Sequence, residues 1–501
     1  MICVGIGRGR HRHVIAEHKF LAEQGVKLVE LRLDYIQGPV QVKRLLRDRP
    51  CPVIVTCRRA QDGGRWEQSE EARRLVLRTA IVEGAEYVDL EDDIASTVPR
   101  YGSTKRIVSH HDFHKTPNDL IGLHRQLSSL DADIVKIATM ANQPEDSLRV
   151  LELMQSVDKP TIGLCMGDIG MPTRVLAGRF GAPFTYATFS SDRVLAPGQI
   201  GWREMRDIFR YETISKETKI FGVVADPVGH SLSPVVHNKA LDAAGIDAVY
   251  LPFRVSEDHI DAFLDSAERW SLVGLSVTIP HKQSVLRKVK HCDELVTSIG
   301  AVNTLSLKAD GVSAFNTDAT AAIESLKAAI EEDEIPEDSK KSGIGIRSAL
   351  ILGSGGVARA LAFVLRERNV EVTLAARTVS KAEVIAAEVG CKVVEWDMRH
   401  RIPHDCIINA TPIGMHPNVN DSPFPKSHLQ TYMIVFDTVY NPENTLLIKH
   451  AQSIGCRTVT GVDMFIRQAA HQFSIWHDCD APEAVMRDAL KRATASAKIP
   501  D

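Results

Sequence analysis

The sequence predicts an α/β protein in two halves: a barrel of alternating strands and helices, then a second α/β half carrying a nucleotide-type glycine turn. Three observations lead there. The first ~200 residues alternate short apolar runs with helical patterns. A polar stretch, Tyr211-Glu-Thr-Ile-Ser-Lys-Glu-Thr-Lys219, interrupts that rhythm before a new strand at Ile220. Later, Ser348–Leu352 runs into Gly353-Ser-Gly355-Gly356 and a helix from about Val357. At 501 residues the chain exceeds one ordinary core, so two or three domains are expected.

The strand candidates of the first half are the N-terminal run Met1-Ile-Cys-Val-Gly-Ile-Gly7, then Lys27–Leu33, Val53–Cys57, Tyr87–Leu90, Ile107–His110, Ile134–Ile137, Thr161–Cys165 and Phe184–Thr188. That is the strand count of a TIM (β/α)8 barrel, and the polar residues of interest sit at the C-terminal strand ends, where such barrels build their sites. The stretch 211–219 reads as a linker. Glu331–Gly343 is rich in charge and reads as a solvated loop.

Composition narrows the function classes. Apolar content of 44% and charged content of 25% are those of a soluble globular protein. A formal net charge of −4 without a basic block argues against nucleic-acid binding. Nine scattered cysteines without a CxxC pair read as reduced thiols in a cytoplasmic protein, with no structural zinc. The N-terminal apolar run precedes Arg8, Arg10 and Arg12, which is the reverse of a signal peptide. No apolar stretch is long enough to span a bilayer, so no membrane association is expected.

Lys136 ends the apolar strand Asp133-Ile-Val-Lys-Ile-Ala. A lysine desolvated in a barrel mouth is suited to attack a carbonyl as the neutral amine, and the resulting protonated imine acidifies the adjacent carbon. His111, at its own strand end, is the candidate base for that proton. Asp89 sits at another strand end and is expected to orient the imidazole. Arg32, Arg58 and Arg174 lie on three segments and together could clamp a carboxylate or hydroxyls.

In the second half, glycines at 353, 355 and 356 allow backbone approach to a pyrophosphate at a helix N-terminus. The next strand, Val370–Ala376, ends in Arg377-Thr-Val-Ser-Lys381. An acidic residue there would hold a ribose 2′-hydroxyl; Arg377 and Lys381 suit a 2′-phosphate, so the expected cofactor is NADP. Asn409-Ala-Thr411-Pro-Ile-Gly414-Met follows a further apolar strand, on the nicotinamide side. Ser231 and Ser233 offer hydroxyls for a carboxylate, and Thr278, Asn303 and Gln468 further hydrogen bonds. Lys282 and Asp318 form a possible charged pair for the proton that accompanies a hydride. Tyr440 is either a packed aromatic or a ligand contact.

The segments VELRLDY, TCR, VDLED, SHHDFHKTP, DADIVKIAT, CMGDIGMPTR and LAPGQ resemble the type I 3-dehydroquinate dehydratase family over roughly residues 1–210. The resemblance implies a TIM barrel that dehydrates 3-dehydroquinate to 3-dehydroshikimate through a lysine Schiff base. It assigns Lys136 to the imine and His111 to acid/base chemistry, and gives Glu30, Arg32, Arg58, Met166, Arg174 and Gln199 to substrate. Two positions depart from the family pattern: Asp62 stands where Glu is usual, and Leu195 where Ser is usual, both in loops expected to close over substrate.

The segments HSLSP, VTIPHK, AVNT, NTDA, GSGGVARA, NATPIGM, DTVYNP and GVDMFIRQAAHQF resemble the shikimate dehydrogenase family over about residues 219–480. This implies a two-lobed enzyme whose substrate domain is split around a Rossmann-type NADP domain. It assigns Lys282 and Asp318 to catalysis, and Ser231, Ser233, Thr278, Asn303, Tyr440 and Gln468 to shikimate. Gly353, Gly355, Gly356, Val357, Ala358, Arg377, Thr378, Lys381, Thr411 and Met464 go to the cofactor. Ser276 stands where the family commonly has Asn.

The product of the first reaction is the substrate of the second, so the two resemblances together imply a bifunctional chain. Its expected domains are a barrel at 1–211, a catalytic domain at 219–325 completed by 455–501, and an NADP-binding domain at 345–454. The expected partners are the small molecules 3-dehydroquinate, 3-dehydroshikimate and shikimate. Two other readings compete: a metabolite sensor that binds without turnover, and a quinate/shikimate dehydrogenase using NAD beside a weakened or regulatory barrel. Retention of Lys136, His111, Lys282 and Asp318 argues against the first, and Arg377 with Lys381 against the second.

Overall fold

The computed structural model describes residues 1–330 and 343–495. It falls into two compact units. Met1–Pro234 with Asp247–Leu272 form one; Val235–Ile246 with the described residues from Val273 onward form the other.

The first unit contains eight parallel strands: β1 (Ile2–Ile6), β2 (Leu28–Arg32), β3 (Val53–Thr56), β4 (Tyr87–Glu91), β5 (Lys105–Asp112), β6 (Ile134–Met140), β7 (Thr161–Met166) and β8 (Thr185–Thr188). Their order is β7-β6-β5-β4-β3-β2-β1-β8, so the sheet wraps round from β7 to β8 as a near-closed barrel. These are the strands expected from the apolar runs, within a few residues at each end. Val, Ile and Leu dominate because helices cover the outside while the inside is packed with side chains. Successive side chains alternate inward and outward, so residues two apart share the interior. The interior floor is apolar: Cys3, Leu28, Ile54, Ile107, Ile134, Ile162 and Phe184 are buried together.

The expected linker at 211–219 is packed rather than extended. Tyr211 is buried, with its hydroxyl close to Gly178. Arg210 donates to the Ala248 carbonyl, and Thr218 donates to Asp247 at 2.7 Å. Two further strands, β9 (Lys219–Ala225) and β10 (Ala248–Arg254), pair in parallel and group with the barrel. The helix Met171–Leu176 packs on β10. Arg254 meets Asp168 at 3.1 Å, and Arg269 reaches Glu145 and Glu152 at 2.9 and 2.7 Å. These contacts draw the compact unit past the boundary expected from sequence.

In the second unit, β11 (Leu272–Val277) pairs antiparallel with β13 (Thr304–Lys308). That strand pairs antiparallel with β14 (Gly311–Phe315), which takes the two-residue β12 (His291–Cys292) in parallel. A separate all-parallel sheet has the order β17-β16-β15-β18-β19-β20. Its strands are β15 (Ser348–Leu352), β16 (Glu371–Ala376), β17 (Lys392–Glu395), β18 (Cys406–Asn409), β19 (Ile434–Asp437) and β20 (Arg457–Val459). This is the doubly wound 3-2-1-4-5-6 order, whose ligand crevice lies where the order reverses, at the C-terminal ends of β15 and β18. Of the charged stretch 331–343, residues 331–342 lie outside the described residues.

Candidate active sites

The barrel site follows from strand parity. Going up the inner face, β2 presents Leu28, Glu30 and Arg32, and β4 presents Tyr87, Asp89 and Glu91. In the same way β5 presents Ile107, Ser109 and His111, and β6 Ile134, Lys136 and Ala138. The apolar floor therefore gives way to a polar layer and then to the mouth. A cavity of about 70 Å3 there is lined by Glu30, Arg32, Arg58, His111, Lys136, Met166, Arg174 and Gln199. Every barrel residue singled out for substrate or imine chemistry reaches this cavity, and Asp62 and Leu195 reach its wall.

Lys136 is 6% exposed. Its Nζ lies 2.9 Å from Asp89 Oδ2, 3.9 Å from Glu30 Oε1 and 4.2 Å from the centroid of the Tyr186 ring. Asp89 also accepts from Arg58 at 2.8 Å and from Ser109 Oγ at 2.6 Å. Burial alone would raise the Asp89 carboxyl; Arg58 and Lys136 outweigh it and hold the group well below the usual carboxylate range. Both oxygens are thus committed to Lys136, Arg58 and Ser109. The expectation that Asp89 orients the imidazole is corrected: no hydrogen bond joins it to His111.

His111 is held neutral. Burial first, then the positive charges of Arg58 and Lys136, push it well below its ordinary value. Its Nδ1 is buried without a hydrogen-bond partner. The ring stacks near Phe113, with centroids 6.5 Å apart. A neutral imidazole facing the lysine's cavity is in the protonation state that a general base requires.

The three arginines expected to clamp substrate are not equivalent. Arg32 is bound by both oxygens of Asp34, at 2.9 and 2.8 Å. Arg58 is neutralised by Asp89 and by Glu91, each at 2.8 Å. Arg174 has no carboxylate partner among the described residues; it donates to the Pro197 carbonyl at 3.3 Å, and its buried Nε has no partner. Burial pushes this guanidinium down to about 10. An uncompensated buried cation at a cavity wall is a site for an anion.

Sequence reading missed Tyr186, Ser109 and Glu91. Glu91 holds Arg58 and also Arg73, the latter at 2.6 Å. The signal for all three was their two-residue spacing from residues already singled out or from the apolar floor.

In the second unit the Lys282 ammonium is ion-paired with the Asp318 carboxylate. Asp318 lies in the first turn of the helix Thr317–Ala328, capped by Asn316, which accepts from Ala319 N at 3.1 Å. Asn303 braces the same turn: its Oδ1 accepts from Thr317 N and its Nδ2 donates to Thr317 Oγ1, both at 2.8 Å. Asn303 is therefore already engaged through both amide atoms. Gln468 is half-buried and donates to the Phe465 carbonyl at 2.9 Å; Thr278 is half-buried. Tyr440 stacks on Phe465 with centroids 4.3 Å apart. Ser231 and Ser233 belong to the first unit, where Ser231 Oγ accepts from Ser233 N at 3.3 Å.

Ser276 donates to Gln472 Oε1 at 2.7 Å, and the Gln472 amide donates to Thr304 Oγ1 and the Asn303 carbonyl at 3.0 and 3.1 Å. The departure at Ser276 thus leaves a connected network. Gln472 was missed, although it sits one helical turn beyond Gln468.

A cavity of about 290 Å3 at the β15/β18 crevice is lined by Gly353, Gly355, Arg377, Thr378, Lys381 and Thr411, among others. Gly353 has φ +124°, and a Cβ there would fall 2.7 Å from the Ala410 carbonyl oxygen. Nothing lies within 4 Å of a Cβ on Gly355, so the helix start is open to a ligand. A Cβ on Gly356 would sit 3.1 Å from Lys282 Cδ, which places the lysine stem against this helix start. Arg377 and Lys381 are exposed, with no carboxylate partner among the described residues. Two such cations beside a glycine turn fit a dinucleotide carrying a 2′-phosphate. Ala358 and Met464, expected at the cofactor, are buried in the core of this unit, with Val357 packed against it; their side chains pack rather than line the cavity.

Among the described residues, no group of three or more His, Cys, Asp or Glu is placed to hold a metal, and no helix is long and apolar enough to cross a membrane. All nine cysteines are free.

Comparison with known proteins agrees with this geometry. The family described as type I 3-dehydroquinase matches residues 2–216, the shikimate dehydrogenase substrate-binding domain residues 223–305, and the shikimate 5′-dehydrogenase C-terminal domain residues 461–491. A bifunctional 3-dehydroquinate dehydratase/shikimate dehydrogenase, chloroplastic, of Arabidopsis thaliana is 36% identical over 96% of this chain and 83% of that protein. The NADP(+) shikimate dehydrogenase of Methanothermobacter thermautotrophicus is 35% identical over 56% of this chain and 98% of its own length. A solved shikimate dehydrogenase in complex with NADP+ superposes with a TM-score of 0.51 at 33% identity, covering 56% of this chain and 97% of that one. With a barrel carrying a buried lysine–histidine site and a doubly wound half carrying a lysine–aspartate pair, the chain belongs to the family of bifunctional 3-dehydroquinate dehydratase/shikimate dehydrogenases.

Proposed function

We propose that Lys136 and His111 dehydrate 3-dehydroquinate and that Lys282 and Asp318 serve the NADPH-dependent reduction of the resulting 3-dehydroshikimate to shikimate. In the barrel, Lys136 Nζ attacks the substrate ketone and water leaves, giving a protonated imine. His111 removes a proton from the carbon beside the imine carbon; the electron pair moves into the imine system. The adjacent C–O bond then breaks, and the same imidazole returns its proton to the departing hydroxyl, so a second water leaves. Hydrolysis of the imine restores Lys136 and releases product. Arg174 receives the substrate carboxylate, while Glu30, Arg32, Arg58, Met166 and Gln199 form the remaining wall.

Bound NADPH supplies the hydride for the second reaction. Lys282, paired with Asp318, delivers the proton to the oxygen as the ketone becomes an alcohol. Ser231, Ser233, Thr278, Asn303, Tyr440 and Gln468 are assigned to the substrate, and Arg377 with Lys381 to the 2′-phosphate. Those two cations favour NADP over an NAD-dependent quinate reading. The domain division at 1–211, 219–325 completed by 455–501, and 345–454 belongs to this proposal, as does a cytoplasmic location, for which the nine free thiols speak.

The observation that carries the reading is the buried Lys136 opening on one cavity with neutral His111 and the uncompensated Arg174. Borohydride trapping with 3-dehydroquinate, followed by peptide mass analysis, tests it. A reduced substrate adduct on Lys136 is expected. Absence of the adduct, in protein that still oxidises NADPH with 3-dehydroshikimate, would make the barrel a binding domain.

A further inference from the structure

The motif Asp437-Thr-Val-Tyr440 has so far lent only Tyr440 to the site, yet its aspartate is the more deeply placed residue. Asp437 ends β19 beside Asn409, which ends β18; the two are register partners. Asp437 is fully buried and faces no cation in any ion pair among the described residues. Its Oδ1 accepts from Asn409 Nδ2 at 2.9 Å and from Val439 N at 3.0 Å; its Oδ2 accepts from Thr445 Oγ1 at 2.7 Å. Burial pushes the carboxyl up to about 6, against those three hydrogen bonds. A buried carboxylate without a counter-cation is costly, which points to a role beyond packing.

The hydrogen bonds run on from there to both walls of the site. Asn409 Oδ1 accepts from Thr411 Oγ1 at 2.7 Å and from Thr411 N at 3.0 Å, and its Nδ2 also donates to the Ile413 carbonyl at 3.0 Å. Thr411 and Ile413 line the dinucleotide cavity. On the other side, Val439 N fixes the turn that leads to Tyr440. Gly461 closes on that turn so tightly that a Cβ would fall 2.3 Å from the Val439 carbonyl.

We propose that Asp437 is a positioning residue for the reductase reaction: one buried carboxylate that holds the Thr411–Ile413 wall of the cofactor cavity and the Tyr440 turn in a single fixed geometry. Asp437 bonds Asn409, which carries the Thr411–Ile413 wall, and Val439 N, which opens the Tyr440 turn. The residue acts through Asn409 and through backbone, and touches no reacting atom. This inference rests on the assignment of that cavity to NADP.

The test compares full-length wild type with Asp437→Ala, Asp437→Asn and Thr445→Val. Dissociation constants for NADP+ come from calorimetry, and steady-state constants are measured for both reactions. Because the barrel reaction shares the chain, its turnover is an internal measure of intact protein. Asp437→Ala is expected to weaken NADP+ binding about tenfold and to lower reductase kcat about tenfold, with dehydratase turnover unchanged. Asp437→Asn keeps an oxygen for Asn409 and Val439, so it should recover to within about threefold. Thr445→Val removes the Oδ2 bond together with the cap that Thr445 Oγ1 gives Ile448 N, and should shift the same constants less and in the same direction. NADP+ affinity and kcat within about twofold of wild type in Asp437→Ala would overturn the proposal. If Asp437→Ala does not fold, unchanged constants in Thr445→Val overturn it as well. Wild type that fails to bind NADP+ would sink the cavity assignment instead, so the two failures are distinct.

Discussion

Lys136 Nζ lies 2.9 Å from Asp89 Oδ2, and the other oxygen of that carboxylate lies 2.8 Å from Arg58. One buried anion therefore serves two buried cations. Asp89→Asn would leave both with a neutral amide. The expected cost is about 3–5 kcal/mol of barrel stability, the range for breaking a buried pair from one side. Urea unfolding, followed by hydrogen exchange at the barrel's amides, measures it. Reductase kinetics should not move.

His111 sets the acid behaviour of the dehydratase. Its neutral form is the base, and its pKa is depressed well below 6.5 by burial and then by Arg58 and Lys136. The kcat/KM profile should therefore show no His111 limb between pH 8 and 6.5. Stability has a definite sign. A histidine that resists protonation when folded binds fewer protons than the unfolded chain below pH 6.5, so stability is full above that pH and falls as pH drops. His18, lowered by burial to about 4, adds to the same slope. Thermal midpoints measured from pH 7 to pH 4 should decline steadily. His18→Gln should flatten the slope, and an unchanged slope would remove His18 from the account.

Arg174 is the barrel's open charge, and it makes an unusual double prediction. Arg174→Met should raise the KM for 3-dehydroquinate about 10–100-fold, the worth of one or two hydrogen bonds between charged partners. The same change removes an uncompensated buried cation, so the ligand-free barrel should become more stable. Calorimetric melting and dehydratase kinetics on one preparation check both. A variant with raised KM and lowered stability would mean that Arg174 supports the fold rather than the substrate.

The barrel site was legible because parity is exact in strands. Glu30 and Arg32, or Asp89 and Glu91, are two apart and must share the interior. What sequence could not show is who pairs with whom. Nothing in the spacing says that Asp89 bonds Lys136 and not His111, or that Asp34 and Glu91 silence two of three arginines. Those outcomes depend on distances across neighbouring strands. Tyr186 was hidden for another reason: an aromatic in an apolar strand reads as core, and here it is both core and the face beneath Lys136. The segment 211–219 is packed rather than extended: its polarity masks Tyr211, whose buried ring anchors it. In the second half, the glycine turn and its two cations were readable, while the buried Gln472 and Asp437 needed the fold.

Cofactor choice should follow Arg377 and Lys381. Both are exposed and line the crevice. Replacing both with alanine removes the charges available to a 2′-phosphate and leaves the glycine turn intact. KM for NADPH should rise about 10–100-fold, with KM for NADH nearly unchanged. Parallel increases for both cofactors would show that the pair holds the pyrophosphate or the fold instead.

Leu195 occupies the position where a hydroxyl was expected, and its surroundings show what the leucine gains. A Cβ on Gly5 would fall 2.6 Å from its Cδ1, and one on Gly7 2.7 Å from its Cδ2. The side chain lies along a strip of the first strand and the turn after it that only glycine leaves open. Its backbone N donates to Gln199 Oε1 at 2.7 Å, which ties the loop to another wall residue of the same cavity. The loop is thus closed by apolar packing where a serine would close it onto substrate. Gly5→Ala should push Leu195 outward at a cost of about 1–3 kcal/mol of overpacking. KM for 3-dehydroquinate should rise, and the reductase constants should stay put. Leu195→Ala removes the packed atoms without adding a clash, and should raise the same KM. If Leu195→Ala leaves it unchanged, the leucine merely fills space and the loop closes without it.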